Sequence, residues 1–357
     1  MGSETQRLDY YGKIASKRLG LVAGQLETTR DCFQQCDMCY SWREALAVDK
    51  SEERECSLER GKHLLAELRS IPTFEWLTLT GGDPQKWTHL SAFLKAYLDN
   101  PCQYQLSLNT ALTQDLSAEE SSLFLQTLGS LRISIEALST QLYQKIRGDD
   151  TDPGAVFQRM VDLGHPNTLT LSAVRTDNIY ELRKLLRFFF ETGGLNDTMR
   201  ERSGGSIQRC LFMPQILSEG DLRDKEDFVE RYDELADEST IRYGDLVSFA
   251  ESSTATKKKM EESSEMPCFV GNLSFHIKPN GDYYPCCLLG GEAMTTQTDY
   301  CLGNIDDHDL RVLWQGNDLD AQRMYREGTP CLRLCQWKQY HLNHAGWNAS
   351  RTTLRIP

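Results

Sequence analysis

Between about residue 20 and residue 215, short apolar runs alternate with stretches of helical periodicity. The helical stretches repeat apolar residues at spacings of three and four, as Leu182, Leu185 and Leu186 do. Parallel strands need a long crossover connection, so this alternation is typical of a parallel sheet covered by helices. The sequence predicts a partial (β/α)6 TIM-like barrel with reactive groups at the carboxyl ends of its strands. The six candidate strands are residues 21–28, 76–80, 104–108, 131–135, 168–174 and 207–213.

The amino-acid composition limits the kinds of molecule that the protein is expected to bind. The 357 residues are 39% hydrophobic, enough for one large domain and a smaller one, and their formal net charge is -13. A nucleic-acid-binding face needs clustered Lys and Arg, so we expect no nucleic acid partner. The sequence has neither a run of eighteen apolar residues nor a basic start followed by an apolar segment. We therefore expect no membrane span, no signal peptide and a cytoplasmic location.

Changes in composition divide the chain. After the predicted barrel comes a stretch rich in Asp, Glu, Ser and Lys, which predicts a helical bridge followed by a mobile loop. Beyond it, Cys, Gly, Asn and aromatic residues indicate a small cysteine-rich α+β domain. The expected parts are an N-terminal extension, the barrel, the bridge, the cysteine-rich domain and a C-terminal tail, at residues 1–19, 20–217, 218–266, 267–345 and 346–357.

Twelve cysteines occur without an export signal, and clustered thiols in a reducing compartment usually bind metal. Cys32, Cys36 and Cys39 stand directly after the first predicted strand. Three thiolates on one loop can bind three irons of a [4Fe-4S] cluster and leave the fourth iron open. A zinc site would need a fourth ligand, and no further Cys or His follows until Cys56. The loop therefore predicts an iron–sulfur cluster that can bind another molecule.

A second group of cysteines lies in the C-terminal region. Within this region, the pair Asn280-Gly281 before Cys286 predicts a hairpin with a type I′ turn. Four spaced cysteines suit either an iron–sulfur cluster or tetrahedral zinc, and Cys287 and Cys301 are open as further ligands. The four predicted ligands are Cys268, Cys286, Cys331 and Cys335.

The CxxxCxxC loop after the first strand resembles the hallmark of the radical S-adenosylmethionine (SAM) superfamily. After the second strand, Gly81-Gly82-Asp83-Pro84 looks like the superfamily's GGEP motif, which binds the methionine amino group of SAM. Ser134, Glu136 and Arg147 are similar to a pattern whose serine and arginine contact the SAM ribose and carboxylate. Asn109 and Asn178 are further candidates, because they follow the third and fifth strands.

The C-terminal region resembles the SPASM/twitch extension of these enzymes, in its cysteines and in the stretches Leu302-Gly303-Asn304-Ile305 and Val312-Leu313-Trp314. Four cysteines match the single-cluster twitch form. Together with the first motif, the resemblance favours an auxiliary [4Fe-4S] cluster over zinc.

The resemblance implies an activity. SAM would be cleaved reductively to a 5′-deoxyadenosyl radical, which abstracts hydrogen from a substrate carbon. We expect oxidation of a small natural-product precursor, such as an amino sugar, aminocyclitol or alcohol, with the auxiliary cluster as electron acceptor and a flavodoxin- or ferredoxin-type electron donor. One alternative is maturation of a ribosomal peptide, and another is an electron carrier without catalysis. Cys210, on the sixth strand, is either a hydrogen donor or a small buried hydrophobe.

Overall fold

The computed structural model describes residue 10 and residues 20–39, 54–214, 226–249, 273–287 and 301–316. Most of the predicted extension, the loop before residue 267 and the C-terminal tail lie outside these residues. So do three of the four predicted ligands of the auxiliary cluster, Cys268, Cys331 and Cys335.

One sheet organises the described residues. Its strands are β1 (Ala23–Thr29), β2 (Trp76–Gly81), β3 (Gln105–Thr110), β4 (Leu128–Ser134), β5 (Thr168–Val174), β6 (Ile207–Pro214), β7 (Val247–Phe249), β8 (Ser274–Ile277) and β9 (Tyr283–Tyr284). Their order in the sheet is β7-β6-β5-β4-β3-β2-β1-β8-β9, and every neighbouring pair is parallel except the hairpin of β8 and β9. All six predicted strands are present, which confirms the predicted barrel architecture.

Helices connect the parallel strands, and capping side chains mark where two of these helices begin. Ser57 caps the first helix by accepting a hydrogen bond from the Arg60 backbone N–H, and Ser117 and Glu120 form a capping box at the third. No described helix has the length and apolar character that crossing a bilayer requires. The helices are α1 (Leu58–Arg69), α2 (Leu90–Asp99), α3 (Ala118–Thr127), α4 (Thr140–Arg147), α5 (Pro153–Leu163), α6 (Ile179–Phe190), α7 (Leu195–Ser203), α8 (Glu226–Tyr243) and α9 (Leu310–Gly316).

The strands have one face toward the helices and one toward the inside of the curved sheet, which we call the barrel interior. Leu131 and Ile133 of β4 are fully buried in the core that the helices cover. Side chains alternate along a strand, so Arg132 and Ser134 face the barrel interior. Residues that pair across neighbouring strands lie on the same face of the sheet. The strand register therefore shows which residues of the other strands face the barrel interior.

The hairpin of β8 and β9 extends the sheet beyond β1, where β8 pairs with β1 in parallel. Gly24 allows the close pairing, since a Cβ there would lie 2.0 Å from the Phe275 ring. The predicted hairpin is present, but its type I′ turn is wrong. The Gly281 N–H donates to the Lys278 carbonyl at 2.9 Å, and of the two turn residues only Gly281 has positive φ. Pro279 explains the difference, because its fixed φ suits the second position of a type I turn.

Candidate functional site

Residues 31–39, the cluster loop, leave the carboxyl end of β1 and rest on the end of α4. The Gln35 N–H donates to the Arg147 carbonyl at 3.0 Å, and the Gln34 amide donates to Asp149 at 3.1 Å. Gly148 has φ +66°, and a Cβ there would lie 2.4 Å from the Gln35 carbonyl oxygen. The close approach and the left-handed backbone both require glycine at this position. The C-terminus of α4 therefore holds the cluster loop in place.

The three thiols of the loop lie in a largely buried environment. Cys36 is buried, while Cys32 and Cys39 are half-buried. Burial raises the pKa of Cys32 to about 12 and that of Cys36 to about 11, and at Cys36 the Arg147 guanidinium opposes the rise. A coordinating metal deprotonates a thiol outright, so iron would offset this cost. The donor set and its cationic neighbour fit an iron–sulfur cluster.

The glycine turn, Gly81-Gly82-Asp83-Pro84, packs directly against the chain that leads into the cluster loop. The Gly82 N–H donates to the Thr29 carbonyl at 2.7 Å, and the Asp83 N–H donates to the Asp31 carbonyl at 2.8 Å. A Cβ on Gly81 would lie 2.3 Å from the Thr29 oxygen, and one on Gly82 would lie 2.1 Å from the Asp31 oxygen. The two glycines thus serve contact between two backbone segments of the protein, in addition to the predicted approach of a ligand.

Asp83 links the carboxyl ends of β2 and β3. Its carboxylate is 1% exposed and accepts hydrogen bonds from the Gln85 N–H at 3.0 Å, the Thr110 hydroxyl at 2.8 Å and the Ala111 N–H at 3.1 Å. Burial raises the pKa of Asp83, and these hydrogen bonds act in the opposite direction. Its oxygens are occupied by the protein, so Asp83 positions the turn.

Arg147 and Glu136 form a buried ion pair beside the cluster loop. The Arg147 Nη2 and Glu136 Oε2 atoms are 2.5 Å apart, and the Arg147 Nη1 lies 3.6 Å from the Cys36 sulfur. Burial disfavours the guanidinium charge, but Glu136 and then Cys36 hold the pKa of Arg147 above its ordinary value. Arg147 therefore keeps a positive charge next to a cluster thiol, at the edge of the predicted SAM pocket.

Arg175 is a site residue that the sequence did not indicate. It follows β5, and its guanidinium forms two hydrogen bonds with the Asp37 carboxylate, one of them 3.0 Å long from Nη2. Its Nη1 also lies 3.7 Å from the Met38 sulfur, and its Nε donates to Asp177 at 2.9 Å. Asp37 and Met38 separate Cys36 from Cys39. Arg175 thus clamps the second half of the cluster loop to the carboxyl end of β5.

The two asparagine candidates differ in the hydrogen bonds that their side chains make within the protein. Asn178 is fully buried; it donates to the Glu136 and Ala173 carbonyls and accepts from the Arg175 N–H, so it joins the ends of β4 and β5. The Asn109 side-chain oxygen is buried and has no hydrogen-bond partner among the described residues. Asn109 therefore offers a free acceptor in the barrel interior. Ser134 is half-buried at the carboxyl end of β4.

Cys210 does not face the barrel interior. It pairs in register with Thr170 of β5 and Val247 of β7, and it lies fully buried in the hydrophobic core. Burial raises the pKa of its thiol to about 12. A thiol on the helix-facing side of β6 cannot reach a substrate in the barrel interior, so the interpretation as hydrogen donor is wrong. The alternative, a small buried hydrophobe, agrees with the structure.

The auxiliary site is described only in part. Cys286 follows β9, and Cys301 precedes a segment that pairs with β9 through Leu302 and Gly303. The Cys301 thiol lies 3.4 Å from the Gly303 carbonyl. In the described part of the chain, no three Cys, His, Asp or Glu side chains could hold a single metal ion.

Comparisons with known proteins agree with this organisation. Residues 268–337, which contain all four predicted auxiliary ligands, match the family model of the SPASM domain, an iron–sulfur cluster-binding domain. SuiB of Streptococcus suis bound to S-adenosylmethionine has a similar fold, with a TM-score of 0.62 and 15% identity over 86% of this chain and 68% of that chain. Native anSMEcpe with bound AdoMet has a TM-score of 0.58 and 14% identity over 85% and 82%. No protein of curated function matches the sequence.

The SPASM match and the shared fold support the predicted cofactors, SAM and iron–sulfur clusters. The cysteine loop follows β1 and the glycine turn follows β2 of the parallel barrel, as the motifs predicted. This chain therefore has the fold of radical SAM enzymes with a C-terminal SPASM iron–sulfur domain, as the sequence resemblance indicated.

Proposed function

We propose that this protein is a radical SAM enzyme that oxidises a substrate carbon. The observation that carries the proposal is the threefold support of the cluster loop. The glycine turn holds its start, the end of α4 holds its middle through Gln35, and Arg175 holds the stretch between Cys36 and Cys39. Preorganisation of this kind suits a site that binds a reactive group at one fixed position.

Within this proposal the residues have distinct tasks. Cys32, Cys36 and Cys39 hold the SAM-binding [4Fe-4S] cluster, and Ser134 and Arg147 contact SAM. When bound, the cluster and SAM supply a 5′-deoxyadenosyl radical that removes one hydrogen from the substrate. The barrel interior positions the substrate carbon and excludes water. Cys268, Cys286, Cys331 and Cys335 would hold the auxiliary cluster, which would take up one electron while the substrate radical releases a proton, so that the substrate loses two electrons and two protons in total.

The barrel interior has a polar side and an apolar side, which suits a small polar substrate with an apolar part. Polar residues face it from β1 to β4, among them Glu27, Asn109 and Arg132, while β5 and β6 contribute half-buried Leu169 and Leu211. Hydroxyl or amine groups of an amino sugar, aminocyclitol or alcohol would find partners on the polar side. We place the predicted dehydrogenation of such a precursor first.

Peptide modification is the second candidate. The supporting observation is that structures of similar fold contain peptides: SuiB bound to the precursor peptide SuiA, at TM-score 0.62, and anSMEcpe with the Cp18Cys peptide, at TM-score 0.59. A gene for a short precursor peptide beside this one, together with a mass change in that peptide after reaction, would favour this candidate.

The test of the activity itself is product analysis. Anaerobically reconstituted protein, reduced in the presence of SAM, should release 5′-deoxyadenosine, and about eight irons per chain are expected for two clusters. The variant with Cys32, Cys36 and Cys39 replaced by alanine should retain about four irons and release none. An iron–sulfur electron carrier would bind the irons but give no 5′-deoxyadenosine from the wild-type protein, and that result would refute the proposal.

A further inference from the structure

Arg132 projects into the barrel interior from the middle of β4. Its strand neighbours Leu131 and Ile133 are fully buried in the core on the opposite face. In the sheet it pairs with Asn109 of β3 on one side and with Leu169 of β5 on the other. It stands two residues before Ser134, so it lies about 6.5 Å farther from the carboxyl edge of the sheet.

Within the described residues, the Arg132 side chain has no ion pair and no hydrogen bond to another protein group, and its Nε atom is buried. Burial lowers the pKa of Arg132, and no carboxylate opposes the change. The neighbouring site arginines differ, because Arg147 pairs with Glu136 and Arg175 pairs with Asp37. Arg132 is half-buried, and a cation that is partly withdrawn from water without an anion beside it is costly, which indicates that something else supplies the negative charge.

The carboxylate of β1 does not fill this role. Glu27 lies 3.7 Å from His276, and although burial alone would raise its pKa, His276 and nearby cations hold the pKa of Glu27 below its ordinary value. Beside Arg132, Asn109 adds a buried amide oxygen without a partner among the described residues, and Leu169 adds an apolar surface. A ligand bound there would meet a cation, a hydrogen-bond acceptor and an apolar wall.

We propose that Arg132 binds an oxyanion of the substrate, a carboxylate or a phosphate, inside the barrel. The inference rests on the proposed function, and it adds the substrate's charge and the residue that recognises it. The planar guanidinium can donate two parallel hydrogen bonds to such a group, which fixes orientation as well as affinity. The oxyanion would anchor the substrate below the SAM pocket, while Leu169 would contact its apolar part.

The test is equilibrium dialysis of the reconstituted full-length protein with radiolabelled acetate and, separately, inorganic phosphate, at saturating SAM. The wild-type protein should bind about one equivalent of one of these probes, with a dissociation constant in the millimolar range expected for a single contact. Arg132→Gln should weaken binding by at least about tenfold, the loss expected for a charge-assisted hydrogen bond. Arg200→Gln, which removes an exposed arginine on α7, should bind as the wild type does.

If Arg132→Gln fails to fold, Arg132→Lys decides. It keeps the charge but not the planar fork, so it should fold and bind the probe more weakly than the wild type. Equal binding by wild type and Arg132 variants would overturn the inference. So would binding that SAM abolishes, because Arg132 would then serve the SAM carboxylate. Formation of 5′-deoxyadenosine by the wild-type protein without oxyanion binding would refute this inference alone, whereas absence of 5′-deoxyadenosine would refute the proposed function.

Discussion

Replacing Gly82 by alanine should disrupt the SAM pocket and the cluster loop together. The added Cβ would lie 2.1 Å from the Asp31 carbonyl oxygen and 2.6 Å from its carbon, and both are backbone atoms that no side-chain rotation can move. The glycine turn would have to separate from the chain that enters Cys32. The sequence resemblance relates the turn to SAM alone, whereas the structure relates it to the cluster loop as well.

The expected loss in the free energy of unfolding follows from two hydrogen bonds. Separation would break the bond from the Gly82 N–H to Thr29, 2.7 Å, and the bond from the Asp83 N–H to Asp31, 2.8 Å. Each hydrogen bond broken without replacement costs about 1–3 kcal/mol, so Gly82→Ala should lower the free energy of unfolding by about 2–6 kcal/mol. Since domains are stable by only about 5–15 kcal/mol, a large share of the variant should fail to retain the first cluster.

The assay combines thermal unfolding, iron per chain after anaerobic reconstitution, and SAM affinity. Gly154→Ala is the matched control. It lies in the first turn of α5, where an added Cβ would meet Asp152 at an ordinary contact distance of 3.4 Å. The control should keep or slightly increase stability, because alanine favours the helix. Wild-type values of all three quantities in Gly82→Ala would refute the role assigned to the turn.

Three further predictions concern residues around the site. Arg175→Ala and Asp37→Ala should each lower retention of the first cluster's iron, and a double-mutant cycle on unfolding should give a coupling of about 1 kcal/mol; a coupling of zero would argue against the clamp. Cys210→Ala should cost about 1 kcal/mol of stability and leave the products unchanged, as liquid chromatography with mass spectrometry would check. Burial lowers the pKa of His165 below 6.5, so the unfolded chain binds a proton that the folded chain does not. Thermal unfolding should show stability falling from about pH 7.5 to about pH 5.5, and falling less in His165→Asn.

The barrel could be predicted because its strands are short apolar runs between amphipathic helices. Parallel strands covered by helices must be apolar, and this leaves a readable pattern. The short strand β7 was not predicted, since three residues are too few for a periodic pattern, and the place of the predicted hairpin in the sheet was not predicted either. Strand β8 belongs to the sheet only because the chain returns to the free edge of β1, a long-range pairing that local sequence does not encode.

The candidate site was predictable where residue chemistry alone is specific, and less so where the fold creates the contact. The spacing of Cys32, Cys36 and Cys39 indicates a cluster through the ligand chemistry of three neighbouring thiols alone. The Arg175 clamp joins segments far apart in sequence, and the pairing of Arg147 with Glu136 joins the end of α4 to the chain that follows β4. The face occupied by Cys210 could not be read from the sequence, because residues 210–213 of β6 are all apolar and therefore do not alternate.

The cluster on Cys32, Cys36 and Cys39 should have an open iron that binds SAM, and electron paramagnetic resonance of the reduced protein, with and without SAM, detects such binding. SAM should change the spectrum of the wild-type protein. In the variant with these three cysteines replaced by alanine, the remaining auxiliary-cluster signal should not respond to SAM. A wild-type spectrum that is identical with and without SAM, in protein carrying its full iron content, would show that the first cluster does not bind SAM.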